Sequence, residues 1–194
     1  MSKITAKKNI KVQYPYLPKG RKILYVPLSN KMMKEAKKIC DEQTGCCWWP
    51  TGAVVVKNNK IIGRGANSGV LQQLCPRIQK KAPTGTGYED CKKICKQTSH
   101  AEISSINDAL KNNHSPAGAD LYLFGHWWCC KPCWDYIIKH KIKKIFLLND
   151  AHYIFKRDKR YKLMDKNEKK IKKGGIVKFK DIIWTLTKSK ICEK

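Results

Sequence analysis

From residue 99 to residue 150 the chain alternates twice between a helical pattern and a short buried-strand pattern, and this alternation restricts its folds more than any other feature. "SHAEISSINDALKNN" reads as a helix from Ser99, "ADLYLFG" as a buried strand, "CKPCWDYIIKHK" as a second helix and "KKIFLLND" as a second buried strand. Strands alternating with helices predict an α/β layer fold. Upstream, "SNKMMKEAKKICDEQTG" has a capping residue at its start near Ser29, apolar positions Met32, Met33, Ala36, Ile39 and Cys40 at helical spacing, and Gly45 as a stop. "GAVVVKNNKIIGRG" predicts a hairpin turning at Asn58-Asn59, and "GGIVKFKDIIWTLTKSK" a short strand and a last helix.

The helix starts carry the chemistry. Cys130 and Cys133 stand three apart at the start of one predicted helix, so both thiols face one side, where the helix N-terminus favours thiolate. His100 opens the other helix and supplies a third ligand for a tetrahedral zinc ion, which leaves a fourth position for water, as in a catalytic site. Glu102 does not share a helical face with His100 and is better placed to reach that water than the metal, as a proton shuttle. Plainer readings stay open. Ser99-His100-Ala101-Glu102 also fits a capping box in which Glu102 only satisfies a helix amide, Cys-x-x-Cys alone serves redox or structural sites, and Cys129 offers a second ligand register at i, i+4.

Between Asn67 and Thr98 runs an aperiodic stretch rich in Gly, Pro and Lys, longer than a compact domain tolerates without a staple. It carries Cys75, Cys91 and Cys95, and Cys46-Cys47 precede the hairpin. Cys47, Cys75, Cys91 and Cys95 together make a candidate structural zinc site, the alternative being buried free cysteines. With 41 Lys+Arg against 15 Asp+Glu, the formal charge is +26, which implies anionic partners. Five of the cations are arginines (Arg21, Arg64, Arg77, Arg157, Arg160), so the charge attracts phosphate diffusely rather than by planar forks. The basic segments suggest an N-terminal arm at 1–27, a core at 28–155 with a Cys-rich insert at 67–97, and a basic extension at 156–194, with non-specific single-stranded nucleic acid as a partner of the Lys-rich segments. No apolar run of signal-peptide or membrane-span length occurs, so a cytoplasmic protein without membrane contact is expected. In a reducing compartment its ten cysteines are read as metal ligands ahead of disulfides.

"PTGAVVVKNNKIIGRGAN", "TSHAEISSINDA" and "CCKPCWDYI" resemble, in order and spacing, the successive motifs of the cytidine/deoxycytidylate deaminase superfamily, and most closely those of deoxycytidylate deaminases, over about residues 29–150. The resemblance implies a three-layer α/β/α fold with a mixed five-stranded sheet, zinc held by His100, Cys130 and Cys133, and Glu102 as acid/base in the hydrolysis of dCMP to dUMP and ammonia. It further implies a sugar contact from Asn67, a pyrimidine contact from the Ala101 amide, and a base pocket lined by His126 and Trp127, with Trp127 as a stacking wall. Trp128 and Trp134 read as core. Some such enzymes carry a second, structural zinc in the neighbourhood of the insert, and homo-oligomers are common among them. Cys129 departs from the family pattern, which usually has proline there. The rival reading is a deaminase of cytosine or adenine in single-stranded DNA or RNA, since the same chemistry serves a flipped base and the charge suits a polyanion. A non-catalytic zinc module that binds nucleic acid is a third reading, against which Glu102 argues.

Overall fold

The structure, a computed structural model, describes residues 15–83, 86–155 and 157–176. The hairpin forms as β2 (Gly52–Lys57) and β3 (Lys60–Ala66), and it turns at Asn58 (φ 50°) and Asn59 (φ 58°). Two successive left-handed residues match the twist of a two-residue hairpin, and asparagine tolerates them better than most side chains. β2 also pairs antiparallel with β4 (Asp120–Phe124), which runs parallel to β5 (Lys144–Leu148). The fifth strand is β1 (Ile23–Val26), parallel to β5 at the edge, and the order is β1-β5-β4-β2-β3. Ile23–Val26 therefore leaves the segment read as an N-terminal arm and joins the sheet. Its four residues were too few, among flanking lysines, to display a strand period. Arg21 ties the same stretch down, its Nη2 donating to Ile142 O at 2.8 Å. The strand and helix predicted in the C-terminal stretch lie, from residue 177 on, outside the described residues.

The helices are α1 (Lys31–Gln43), α2 (Pro76–Gln79), α3 (Tyr88–Lys93), α4 (Ala101–Lys111), α5 (Lys131–Lys139), α6 (Ala151–Ile154) and α7 (Arg157–Lys172). α1 begins one residue later than read. Asn30, not Ser29, caps it, accepting from the Met32 and Met33 amides at 3.0 and 3.2 Å. Met33, Ala36, Ile39 and Cys40 are buried on its inner face.

Glycines fix how the helices lie on the sheet. A Cβ at Gly52 would meet Ala36 O at 2.3 Å, whereas one at Gly63 would meet Ser105 O at 2.2 Å and one at Gly65 Ser105 N at 2.3 Å. Gly65 pairs with Ala53, the neighbour of Gly52 on β2, so α1 and α4 cover opposite faces, because successive strand residues point to opposite sides. This is the expected three-layer arrangement. Ala53, Val54 and Val55, between the layers, are fully buried. The insert is not structureless: it contains α2 and α3, the Lys80–Asp90 ion pair at 2.6 Å, and a bond from the Val70 amide to Cys95 O at 2.6 Å.

The contact between β3 and α4 is the tightest that the helix makes with the sheet, and Gly65→Ala would push a methyl group into helix backbone. A stability loss of about 1–3 kcal/mol is expected from such overpacking, measured as a lower urea midpoint with an unchanged slope. An unchanged midpoint would mean that α4 stands off the sheet.

Candidate active site

Two helix starts converge. His100 is the N-cap of α4 and Cys130 the N-cap of α5, and neither side chain bonds its own helix amides as a cap. The capping-box reading therefore fails: the Ser99 hydroxyl is taken by Ser104 Oγ at 2.7 Å, and Glu102 lies in the first turn with its side chain buried, 4% exposed. His100 Nδ1 stands 3.4 Å from both Cys130 Sγ and Cys133 Sγ, and the two sulfurs are 3.2 Å apart. Zinc–sulfur and zinc–nitrogen bonds of about 2.3 and 2.1 Å in a tetrahedron separate their ligands by roughly 3.6–3.8 Å. The triangle is only a few tenths of an ångström tighter, so it fits that ion after small side-chain rotations. Among the described residues, this is the group of ligand atoms at metal distance. Cys129 is not in it, which removes the alternative register.

The protonation of the site follows from burial and proximity. The hydrogen bond shared with Cys133 brings the Cys130 thiol down to about 5 and pushes the Cys133 thiol up. Burial raises the Glu102 carboxyl above the usual range, and the Cys130 thiolate beside it adds to the rise. Cys129 is fully buried next to Glu102. Burial first, then the Glu102 charge, pushes its thiol well up, so it stays neutral.

Glu102, His100 and Cys130 open onto one cavity of about 310 Å³. Asn67, Ala101, His126 and Trp127, to which the resemblance gives substrate contacts, all line it. Ala101 is the first residue of α4, whose N–H has no partner within the helix. The Asn67 side chain is already engaged: Oδ1 accepts from Thr44 Oγ1 (2.7 Å) and the Thr51 amide (3.0 Å), and Nδ2 donates to Trp49 O (2.7 Å). It clamps the loop at 44–51 against the end of β3 and keeps one amide hydrogen for other use. His126 is both a loop staple and a cavity residue. Its Nδ1 accepts from the Trp127 and Trp128 amides at 3.0 and 3.2 Å, which leaves the proton on Nε2 in the neutral ring. Trp134 is core, with Nε1 donating to Tyr16 O at 3.1 Å. Trp128, read as core, instead lines the cavity.

Sequence reasoning missed Trp48, Trp49, Arg77 and Tyr88 in the wall. The Trp49 and His126 rings lie tilted against each other at 4.8 Å, and the Tyr88 ring lies 5.7 Å from that of His100. The available signal was the Trp48-Trp49 pair directly before the β2 strand. The insert's cysteines form part of the same wall, since Cys46, Cys75 and Cys91 line the cavity. Burial is the main cause that raises the thiols of Cys75, Cys91 and Cys95, the last to about 11, and the sulfurs reinforce one another. Cys47, assigned as the fourth ligand, is buried with Trp48 and Cys75, and burial first, then the neighbouring Cys46, Cys75 and Cys95, pushes its thiol up. Cys46 Sγ accepts a hydrogen bond from the Trp49 amide at 3.2 Å. Among these described cysteines, neither the four assigned sulfurs nor the set with Cys46 in place of Cys47 closes to the ligand spacing seen at His100.

Comparison with known proteins sets this geometry in a family. No curated protein matches the chain. Among solved structures it is similar to dCMP deaminase from the cyanophage S-TIM5 in apo form, at 23% identity and a TM-score of 0.42, over 65% of this chain and 87% of that one. It is also similar to a guanine deaminase from Bacillus subtilis, at 24% identity and a TM-score of 0.31, over 50% of this chain and 48% of that one. The profile of the cytidine and deoxycytidylate deaminase zinc-binding region matches residues 27–149, from the end of β1 to the end of β5. That span takes in most of the chain and both converging helix starts, and the chain belongs to the cytidine and deoxycytidylate deaminase family of zinc-dependent hydrolytic deaminases.

Proposed function

We propose that this enzyme hydrolyses dCMP to dUMP and ammonia. The observation that carries the reading is the meeting of the His100–Cys130–Cys133 triangle with a buried carboxyl at the end of a cavity of about 310 Å³. That volume suits one small ligand, and the indoles around it offer flat faces to a flat base. Held by His100, Cys130 and Cys133, zinc would supply an acidified water. Glu102, its pKa already raised by burial, would take one proton from the attacking water and give it to the ring nitrogen as the C4–O bond forms, then carry that oxygen's second proton to the amine, so that ammonia leaves as the C4–N bond breaks and the C4 carbonyl forms. The Ala101 N–H donates to the pyrimidine carbonyl. His126 and Trp127 confine the base, and the remaining Asn67 amide hydrogen faces the sugar. Cys129, neutral and buried, hydrogen-bonds the Glu102 carboxyl.

The same reading extends to the insert. A second zinc would be held by Cys75, Cys91 and Cys95 with Cys47 or the adjacent Cys46 as the fourth ligand. The amides that donate to Cys46, Cys47 and Cys75 sulfur support this set, since N–H donors favour thiolate. The nine described cysteines are free thiols, which fits a reducing cytoplasm, and no described helix is long and apolar enough to cross a membrane. The excess lysine attracts single-stranded nucleic acid non-specifically without directing its turnover.

Ammonia release from cytidine, deoxycytidine, dCMP, dCTP and single-stranded oligonucleotides at near-physiological salt tests the substrate. The highest kcat/KM is expected with dCMP, and an oligonucleotide that surpasses it would establish the rival reading. Glu102→Gln is expected to bind zinc normally while turnover falls by about two to four orders of magnitude; near-normal turnover would reduce Glu102 to a structural residue. Elemental analysis of protein purified without chelator is expected to give two zinc ions per chain, and Cys91→Ser one. A single zinc in the parent protein removes the second site.

A further inference from the structure

We infer that Arg77 is the residue that selects a phosphorylated substrate, its guanidinium pairing with the 5′-phosphate of the bound nucleotide. The inference rests on the dCMP reading and goes beyond it by naming the group of this chain that reads the phosphate.

The first argument is one of location. The chain has 41 lysines and arginines, yet among the described residues Arg77 is the one that lines the cavity. Surface lysines act through water and salt, which screen charge over about 8–10 Å. They raise the local concentration of any anion, nucleotide or polymer alike. Discrimination between a nucleoside and its phosphate has to come from a cation inside the wall.

The second argument is how Arg77 is held. Its Nε donates to Thr86 O at 2.8 Å. The guanidinium carbon lies 4.3 Å from the Tyr88 ring centroid and 5.4 Å from that of Trp48, so the planar group is held between two aromatic side chains. It also shares a hydrogen bond with Cys91. A guanidinium has five N–H donors, and these contacts leave several of them uncommitted. None of the ion pairs among the described residues involves Arg77. A fixed planar fork without a carboxylate partner is the arrangement that takes a phosphate oxygen pair.

The third argument is span. Tyr88 stands against both Arg77 and His100, with its ring 5.7 Å from the His100 ring. The cation and the His100 ring thus share one aromatic neighbour, and a pentose separates base from phosphate on a similar scale. A base at the triangle brings its 5′-phosphate toward Arg77.

The test is kcat/KM on dCMP and on deoxycytidine, which differ by the phosphate alone, for the wild-type enzyme and for Arg77→Gln and Arg77→Lys. In Arg77→Gln the dCMP/deoxycytidine ratio is expected to fall by about ten- to a hundredfold, the size of a charge-assisted bond, with the loss chiefly in KM. Arg77→Lys keeps the charge without the fork and is expected to fall between. If Arg77→Gln folds poorly, the Lys variant carries the test. Inorganic phosphate is expected to compete with dCMP on the wild-type enzyme and to lose that competition in either variant. Equal losses on both substrates, leaving the ratio intact, would show that Arg77 only braces the insert and would overturn the inference while the dCMP reading stands. A wild-type enzyme that turns over deoxycytidine as well as dCMP would overturn that reading and the inference with it.

Discussion

Two helices of this protein begin side by side, with the caps His100 of α4 and Cys130 of α5 3.4 Å apart at Nδ1 and Sγ. A helix start concentrates unpaired amides and the positive end of the backbone dipole, so it stabilises thiolate and offers N–H groups to a ligand. When two such starts meet, the field adds and the residues that cap them face each other. Strand β4 connects the two and fixes their separation, and Gly63 and Gly65 seat α4 so closely on β3 that the helix cannot slide without breaking backbone contacts. The candidate metal ligands, the buried carboxyl and the first amide of α4, at Ala101, all inherit their positions from this one junction.

Some of this was legible in the sequence because it is local. His100, Glu102, Cys130 and Cys133 sit at helix starts whose spacing is set by the helix itself, and their grouping followed from the strand between them. The hairpin was legible for the same reason, since Asn58-Asn59 admits few turns. What was hidden depends on contacts between distant parts of the chain. Nothing in Ile23–Val26 announces a strand until β5 is beside it, and Asn67 gives no sign in sequence that Thr44, Thr51 and Trp49 will engage its amide. The Ser99 cap failed because α4 starts one residue later, with His100 at its N-cap, and the Ser99 hydroxyl meets Ser104 Oγ instead. Trp134 and Trp128 flank the same motif, yet one is core and the other wall. That difference comes from where the helix axis points, not from residue type.

The charge teaches a related lesson about scale. A formal +26 invites thoughts of long polyanions, but a net charge is a property of the surface as a whole, whereas selection is decided by the few groups that lose water on binding. Here the cavity wall is built of aromatic rings, thiols and small polar side chains, with one guanidinium. Its chemistry is nearly independent of the lysines around it.

The four-residue helix α2 carries a cluster sulfur at its cap, Cys75, and the cavity's guanidinium two positions on, at Arg77. Cys46-Cys47-Trp48-Trp49 likewise interleaves sulfur with aromatic wall. Such a segment cannot drift one position at a time, because any substitution is answerable to two neighbours with different demands. In descent it is inherited as a block, and anyone transplanting specificity between deaminases of this kind should graft the whole insert together with the loop at 44–51, not single residues from either.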